Sequence, residues 1–539
     1  MEQQEHAGQE SASRGRRVLC ALLEPLAIDL RSLAAYRIAI ALVLLVDLAT
    51  RAVDLSDHYT DRGFYPRAAR IALEHSDWYD GEIRYEWSLH MLSGEAWAQA
   101  GLFLLAALFA AGMLAGYRTR LCTAASAVLL CSLQARNPLV LDAGDTLLRC
   151  IMIWSIFLPL GAAFSVDRRR DASPPGRMRV LSVGSAALLL QVAVMYWFTA
   201  TAKHDPIWTR DYSAVYYVLN LDVITTPFGH WLLRFPRLLQ VLTFMTYWLE
   251  LVGPCLALCP LLTRWPRAAV VVCFWLLHLG MAVTLALGIL EWVVIAAWFP
   301  FLPGVAWDAL SRLGSKFNFR WIVEGPAIQR TRGWLDRHWF KHPAPADFRL
   351  SWAGSALVGA LLVYTAVWNI YERFPAVREA APLPKGWTIP GRITRLEQWW
   401  WMFAPQPMMN DGWYAMKGVL VDGSIVNLWE PGKPLPETKP ASVLNAYRNE
   451  RWRRYLMSLW EPMYTPTLRE CADWLKQRWN EQYSGGDPER KVKSVEIIYY
   501  LEETVPPDRI APEVTPMILW KTGYESLLKR SDDGDSAGG

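Results

Sequence analysis

The stretch VLSVGSAALLLQVAVMYWFTATAKHDPIW, residues 180–208, is an apolar run that ends on three adjacent ionisable residues, Lys203, His204 and Asp205. A helix of about 20 apolar residues crosses the hydrocarbon core of a bilayer, which is roughly 30 Å thick. Residues 180–202 have that length and composition, so the stretch predicts a membrane-spanning helix. Pro206 disfavours helical geometry in the residue before it and therefore marks the end of this helix.

The composition of the whole chain agrees with a membrane protein. Of its 539 residues, 53% are hydrophobic and only 20% are charged, whereas a soluble protein carries about 25% charged residues. This composition excludes an all-soluble enzyme, a disordered tail protein and a disulfide-stapled secreted scaffold. The net charge of +4 lies in short basic clusters between apolar runs, which favours no nucleic-acid partner. The eight cysteines form no Cys-x-x-Cys pair, so no metal site is predicted.

Nine segments are long and apolar enough, or nearly so, to cross a bilayer. They are residues 33–53, 95–116, 119–136, 146–165, 180–202, 237–262, 267–286, 287–304 and 350–371. The seventh and eighth share one apolar run, in which Gly280, Gly288 and Glu291 are the only hints of a break. The predicted fold class is an all-α polytopic membrane bundle of about nine transmembrane helices with a C-terminal α+β domain.

The positions of lysine and arginine predict the orientation of the bundle. With nine spans, the basic clusters before residue 33 and in the even-numbered connections all fall on one face, which we assign to the cytoplasm. The acidic loop 54–94 falls on the opposite face. The sequence therefore predicts a multi-pass membrane protein with a cytoplasmic N-terminus and an extracytoplasmic C-terminal domain.

The domain organisation follows from the same pattern. The run from Trp413 to Trp429 alternates around the turn dipeptide Asp422-Gly423, and Val495 to Leu501 is typical of a second strand. We predict a disordered cytoplasmic segment 1–24, a transmembrane domain 25–304, a basic and aromatic interfacial segment 305–349, a last transmembrane helix 350–372, an extracytoplasmic α+β domain 380–529 and a disordered tail 530–539.

Lys203 is the most informative candidate for chemistry. A lysine surrounded by apolar helices loses its preference for the charged form and can then act as a general base. The alternative is that Lys203 extends to the membrane interface while Asp205 offsets its charge. His278, in the middle of the seventh span, could hydrogen-bond a neighbouring helix or handle protons, and the sequence leaves both open.

A second group of polar residues lies between the third and fourth spans. Asp142 and Asp145 precede a helix, and Asp145 is a good helix N-cap. The functional alternative is that both aspartates line an outward-facing polar cavity together with Lys203.

Several of these stretches resemble one known domain. The HTTM domain is the transmembrane domain shared with the vitamin K-dependent gamma-carboxylases, and the resemblance covers roughly residues 25–305. The matching motifs are Leu33 to Ile38 with Asp47, His58 to Gly63, Arg136-Asn137-Pro138 with Asp142 to Asp145, Lys203-x-Asp205-x-x-Trp208, and Phe274 to His278.

The resemblance implies an activity. In these carboxylases a lysine deprotonates reduced vitamin K, whose oxygenation yields a strong base that removes the γ-proton of glutamate before CO2 adds. It implies that Lys203 is the catalytic base and that His278 and Asp205 tune or relay the proton. The residues that would bind the substrate or cofactor are His204, Trp208, Asp145 and Asn137.

The same resemblance implies the ligands and partners. Reduced vitamin K or another lipid-soluble quinol would be the cofactor, with no metal. The partners would be the lipid bilayer and a protein or peptide substrate on the outer face, and the compartment would be a bacterial inner membrane. The alternative function is a non-enzymatic membrane module for toxin export, immunity or scaffolding. A transporter is a weaker third reading, because repeated broken helices are not evident.

Overall fold

The computed structural model describes residues 21–74, 82–170, 178–316, 350–460, 467–506 and 514–522. The predicted disordered tail 530–539 and most of the predicted segments 1–24 and 305–349 lie outside these ranges. Residues 21–24, which we predict to be disordered, are helical, and the first part of the 305–349 segment continues a helix that ends at Lys316.

Helices make up most of the described chain. They are α1 Leu30–Val53, α2 Leu55–Tyr59, α3 Arg67–Glu74, α4 Ala96–Ala115, α5 Thr119–Arg136, α6 Ala143–Ser155, α7 Val166–Arg170, α8 Val183–Ala202, α9 Pro206–Thr209, α10 Ala214–Leu219, α11 Pro227–Leu232, α12 Pro236–Ala257, α13 Trp265–Thr284, α14 Leu290–Trp298, α15 Gly304–Lys316, α16 Trp352–Arg373, α17 Pro375–Ala380, α18 Ile389–Thr394, α19 Val443–Ala446, α20 Glu450–Leu459 and α21 Leu468–Gln482.

The strands form two antiparallel sheets. They are β1 Ile28–Asp29, β2 Arg179–Val180, β3 Asn410–Leu420, β4 Ile425–Asn427, β5 Val492–Glu503 and β6 Val514–Lys521. β1 pairs with β2, and the C-terminal sheet has the order β4-β3-β5-β6. The predicted hairpin at Asp422-Gly423 joins β3 to β4, where Gly423 adopts a φ of 83° that favours glycine. Helix α21 carries buried Trp474 and Trp479, which belong to the core of this C-terminal α+β domain.

Six of the described helices are long and apolar enough to cross a membrane. They are α1, α4, α8, α12, α13 and α16. The count becomes seven if α14 and α15, whose axes meet at 97°, are taken as one bent span. The nine-span prediction is therefore supported only in its coarser form, a helical bundle with several membrane-spanning helices and a small β sheet.

The three remaining predicted spans contain helices that are too short or too polar to cross a membrane. Helix α5 has 18 residues, but Arg120, Gln134 and Arg136 lower its hydropathy. Helix α6 has 13 residues, so at 1.5 Å per residue it extends only about 20 Å. Helix α14 has nine residues.

The seventh and eighth predicted spans are separated by a break in the region that Gly280, Gly288 and Glu291 indicate in the sequence. Helix α13 ends at Thr284 and α14 begins at Leu290. Gly288, between them, has a φ of 72° and lies so close to the C-terminal domain that a Cβ atom there would approach the Glu450 carboxylate to 2.4 Å. A larger residue at this position would be strained by the positive φ and would displace the Glu450 carboxylate.

A buried ring of four charges joins the bundle to the C-terminal domain. Asp47 and Arg51 lie on α1, Asp145 lies on α6, and Arg451 lies on α20 of the C-terminal domain. The Asp47 carboxylate accepts bonds from Arg51 Nε at 2.8 Å and from Arg451 Nη2 at 2.7 Å. Both arginines also bond Asp145. All four side chains are at most 4% exposed, so the two negative and two positive charges cancel inside the protein.

A second buried network lies between the bundle and the segment that follows α18. Glu86 forms ion pairs with Arg392 and Arg395, in which the nitrogen and oxygen atoms are 2.5 Å apart. Arg395 continues to Glu397 at 3.2 Å, and Arg149 of α6 reaches Glu397 at 3.0 Å. The acidic loop and α6 are therefore tied to residues 392–397 by paired charges.

We expect Arg451→Ala to destabilise the protein strongly. The substitution leaves Asp47 and Asp145 buried with one cation instead of two, and removing one member of a buried ionic set costs about 3–5 kcal/mol. Thermal unfolding in detergent would measure the effect. Arg469→Ala is the matched control, because the Arg469 side chain is 70% exposed and such a change costs less than about 0.5 kcal/mol. Equal shifts in the two variants would contradict the structural role of the ring.

Candidate functional site

Lys203 lies at the end of α8, where it is the residue that follows the last helical turn. Its side chain is 2% exposed and its Nζ lies 2.5 Å from Oε2 of Glu250 on α12. The charge of this lysine is therefore balanced within the bundle by a carboxylate from a neighbouring helix. Glu250 lies within the predicted span 237–262, where a charge is costly to bury, but no pattern in the sequence indicates which residue it faces.

The short helix α9 places an aromatic ring beside the lysine. Asp205 caps α9 by accepting a hydrogen bond from Ile207 N at 3.0 Å, and Pro206 occupies the first helical position. This turn brings Trp208 back towards α8, so that Lys203 Nζ lies 4.4 Å from the centroid of a Trp208 ring. Trp208 is buried, and its Nε1 donates to the carbonyl of Phe403 at 3.0 Å.

His278 lies in a separate hydrogen-bonded group on α13. Its Nε2 lies 2.7 Å from the hydroxyl of Tyr196 on α8, and Trp298 Nε1 donates to the same hydroxyl at 3.3 Å. The Nδ1 atom of His278 is buried and has no hydrogen-bond partner among the residues that the structure describes. The partner of His278 is therefore a tyrosine, which the sequence analysis did not single out.

The structure brings together only some of the predicted site residues. Lys203 and Trp208 are in contact, whereas the carboxylate of Asp205 serves as a helix cap and is not the partner of Lys203. His204 is exposed, and its Nδ1 lies 2.9 Å from the carbonyl of Ala202.

The other two predicted binding residues hold the backbone or the ionic ring. Asn137 donates to the carbonyl of His58 at 2.9 Å and accepts from Leu139 N at 3.2 Å. Asp145 lies in the ring described above and bonds back to Asp142 N at 3.0 Å. In the capping box at the start of α6, Asp142 is the N-cap and Asp145 is the third helical residue, which reverses the predicted assignment of Asp145 as the cap.

Two cavities lie outside the Lys203 group. One, of about 250 Å³, is in the C-terminal domain and is lined by Tyr414, Trp429 and Tyr447 among others. The other, of about 20 Å³, lies between α1, α4 and α5 next to Asp47 and His90. Across the described ranges, no group of three or more histidine, cysteine, aspartate or glutamate side chains has the arrangement of a metal site.

Comparisons with known proteins identify no relative of this chain. No family model matches it, and no curated protein and no solved structure matches it. The resemblance to the carboxylases therefore stays a hypothesis that rests on the motifs of the sequence.

Asp142 predicts a pH dependence of stability. Burial is the main cause, and the nearby Glu450 carboxylate the next, of the rise in the pKa of Asp142 from its ordinary value of 3.8 to about 7. Between these values the folded state keeps a proton that the unfolded state releases, so this contribution to stability is full below about pH 4 and is lost as the pH rises through about 7.

We expect Asp142→Asn to weaken this loss. Asparagine resembles the protonated acid and caps a helix as well as aspartate does. The variant should match the wild type near pH 4 and exceed its unfolding free energy by up to about 4 kcal/mol at pH 8. Thermal midpoints between pH 4 and 8 would measure the difference. A constant difference across that range would contradict the assignment.

Proposed function

We propose that this chain is a membrane enzyme in which the Lys203–Glu250 pair takes a proton from a lipid-soluble quinol, as the first step of a carboxylation or oxygenation. The observation that carries the proposal is the buried pair itself, a 2.5 Å contact between an amine and a carboxylate inside an apolar bundle. Charged groups buried among membrane helices are costly and are found mainly where they serve a function.

The carboxylase-like reading extends this proposal. The motifs around Lys203, Asp205 and Trp208 support a relationship with the vitamin K-dependent gamma-carboxylases, and reduced vitamin K or another quinol is then the cofactor. The extracytoplasmic orientation of the C-terminal domain, a bacterial inner membrane and a protein or peptide substrate on the outer face belong to the same proposal.

The residues present fit a quinol in one respect. A quinol hydroxyl needs a hydrogen-bond acceptor, and Oε1 of Glu250 has no partner within the described part of the chain. A bound quinol would supply an acidic hydroxyl and, after deprotonation, reducing electrons. Lys203 would balance the negative charge that develops next to it, while the apolar surroundings of α8, α12 and α13 would exclude water and strengthen that interaction.

A non-enzymatic membrane module is the second candidate. The observation that favours it is that Lys203 is satisfied by Glu250 and Trp208 without any ligand. In that case the pair only joins α8 to α12, as the ionic ring joins α1, α6 and α20. Such a protein would use its surfaces, and not this group, for toxin export, immunity or scaffolding.

The two candidates predict different behaviour of Lys203→Ala. In purified protein supplied with reduced naphthoquinone, oxygen and isotope-labelled CO2, the wild type should turn over the quinol. The variant should lose about a hundredfold or more in rate, because it lacks the cation that balances the developing negative charge, and loss of one such stabilising group costs about 10²–10³-fold. Product formation and incorporation of the label would be measured together.

Lys417→Ala is the matched control. Lys417 pairs with Glu496 at 3.2 Å in the C-terminal domain and is 30% exposed, so its loss should leave turnover unchanged. The thermal unfolding midpoint of each variant shows whether a loss of turnover comes from a loss of activity or from unfolding of the protein. Wild-type protein without turnover, or a folded Lys203→Ala variant with undiminished turnover, would contradict the enzymatic proposal and favour the membrane module.

A further inference from the structure

We infer that Glu250, and not Lys203, is the group of this pair that accepts the proton, and that Lys203 is the cation that positions it and offsets the charge formed. This inference rests on the proposed function, because it names which atom performs its first step. It departs from the role that the sequence motif alone gives to the lysine.

The surroundings of Lys203 favour its charged form. The Glu250 carboxylate lies 2.5 Å from Nζ, and an opposite charge at that distance stabilises an ammonium group. The Trp208 ring centroid lies 4.4 Å from the same atom, and the negative face of an aromatic ring attracts a cation but has no such attraction for a neutral amine. An amine held as ammonium has no lone pair with which to accept a proton.

Glu250 is the more accessible member of the pair. Its side chain is 11% exposed, compared with 2% for Lys203. Oε2 is occupied by Lys203, while Oε1 has no hydrogen-bond partner within the described ranges. Glu250 is therefore the member of the pair that keeps an oxygen with which to accept a hydrogen bond from a bound molecule.

The neighbouring groups do not offer another acceptor of this kind. His278 Nε2 is engaged with the Tyr196 hydroxyl at 2.7 Å, and Trp298 donates to that hydroxyl as well. The Nδ1 atom of His278 has no partner within the described ranges, but an imidazole lacks the negative charge of a carboxylate. Asp205 accepts from Ile207 N with Oδ1, and within the described ranges it forms no ion pair with Lys203. Glu250 is therefore the carboxylate that contacts Lys203 and still has an unoccupied oxygen.

The proton transfer balances without any further reactant. The O–H bond of a quinol hydroxyl breaks, the proton moves to Oε1 of Glu250, and the electron pair stays on the ligand oxygen. The carboxylate becomes neutral as the ligand oxygen becomes negative, so the ammonium of Lys203 balances one negative charge before and after the step.

Two substitutions separate the roles of the two residues. Lys203→Arg keeps a cation, but a guanidinium stays protonated and cannot serve as a base. With reduced 2-methyl-1,4-naphthoquinone as the probe, we expect Lys203→Arg to keep its kcat within about tenfold of the wild type. Glu250→Gln should lose about a hundredfold or more in kcat while its KM changes less than about threefold. Glu496→Gln is the control, since Glu496 forms the matched lysine pair in the C-terminal domain.

Carbodiimide labelling gives a readout that does not need turnover. Dicyclohexylcarbodiimide is lipid-soluble and reacts with protonated carboxyl groups. We expect little label on Glu250 in the wild type and in Lys203→Arg, in both of which a cation lies against the carboxylate. Lys203→Met removes the cation and should increase the label on Glu250 at least fivefold, as measured by mass spectrometry of the peptide.

The outcomes distinguish the two proposals. An inactive wild-type protein would overturn the proposed function, while the labelling would still report the state of Glu250. An active wild type with an inactive Lys203→Arg variant, or with an active Glu250→Gln variant, would overturn the assignment of Glu250 as the acceptor. Strong labelling of Glu250 in the wild type would also overturn it, because the acceptor must be ionised before the quinol binds.

Discussion

The requirement that buried charges be paired determines how this protein is assembled. The ring of Asp47, Arg51, Asp145 and Arg451 draws its members from two bundle helices and one helix of the C-terminal domain, and its charges sum to zero. Asp145 of α6 forms its ion pairs with Arg51 of α1 and Arg451 of α20, and an unpaired buried ion costs several kcal/mol. The ring therefore favours packing of the bundle against the C-terminal domain.

Much of the fold could be predicted from hydropathy, because membrane helices are long apolar runs with clear ends. The helices α1, α8 and α13 begin and end within three residues of the predicted spans. The shortness of α6 and α14 could not be predicted, since their apolar residues continue into turns that look the same in a hydropathy pattern. The charge pairs could not be predicted from the sequence either. Asp47 and Arg451 are 404 positions apart, and no local pattern connects them.

For the candidate site, too, the local contacts could be predicted from the sequence and the contacts between distant helices could not. Lys203 and Trp208 are five positions apart, and the intervening proline indicates the turn that brings them together. The partner of the lysine depends on which face of α12 packs against the end of α8, and that is set by tertiary packing. The sequence predicts Asp205 as the partner of Lys203 because it is only two positions away, but that carboxylate caps the next helix. Glu250 is the carboxylate that pairs with the lysine.

The ring and the Lys203–Glu250 pair have the same chemistry but differ in what they leave unoccupied. In the ring, both oxygens of Asp47 and both oxygens of Asp145 accept bonds from arginine. A carboxylate so occupied has no site for a ligand proton unless an ion pair first breaks, so the ring is suited to holding helices together. Glu250 has an ion pair on one oxygen and none on the other. That asymmetry allows a proton to arrive while the ammonium remains in place, which is the property that a proton acceptor inside a membrane bundle requires.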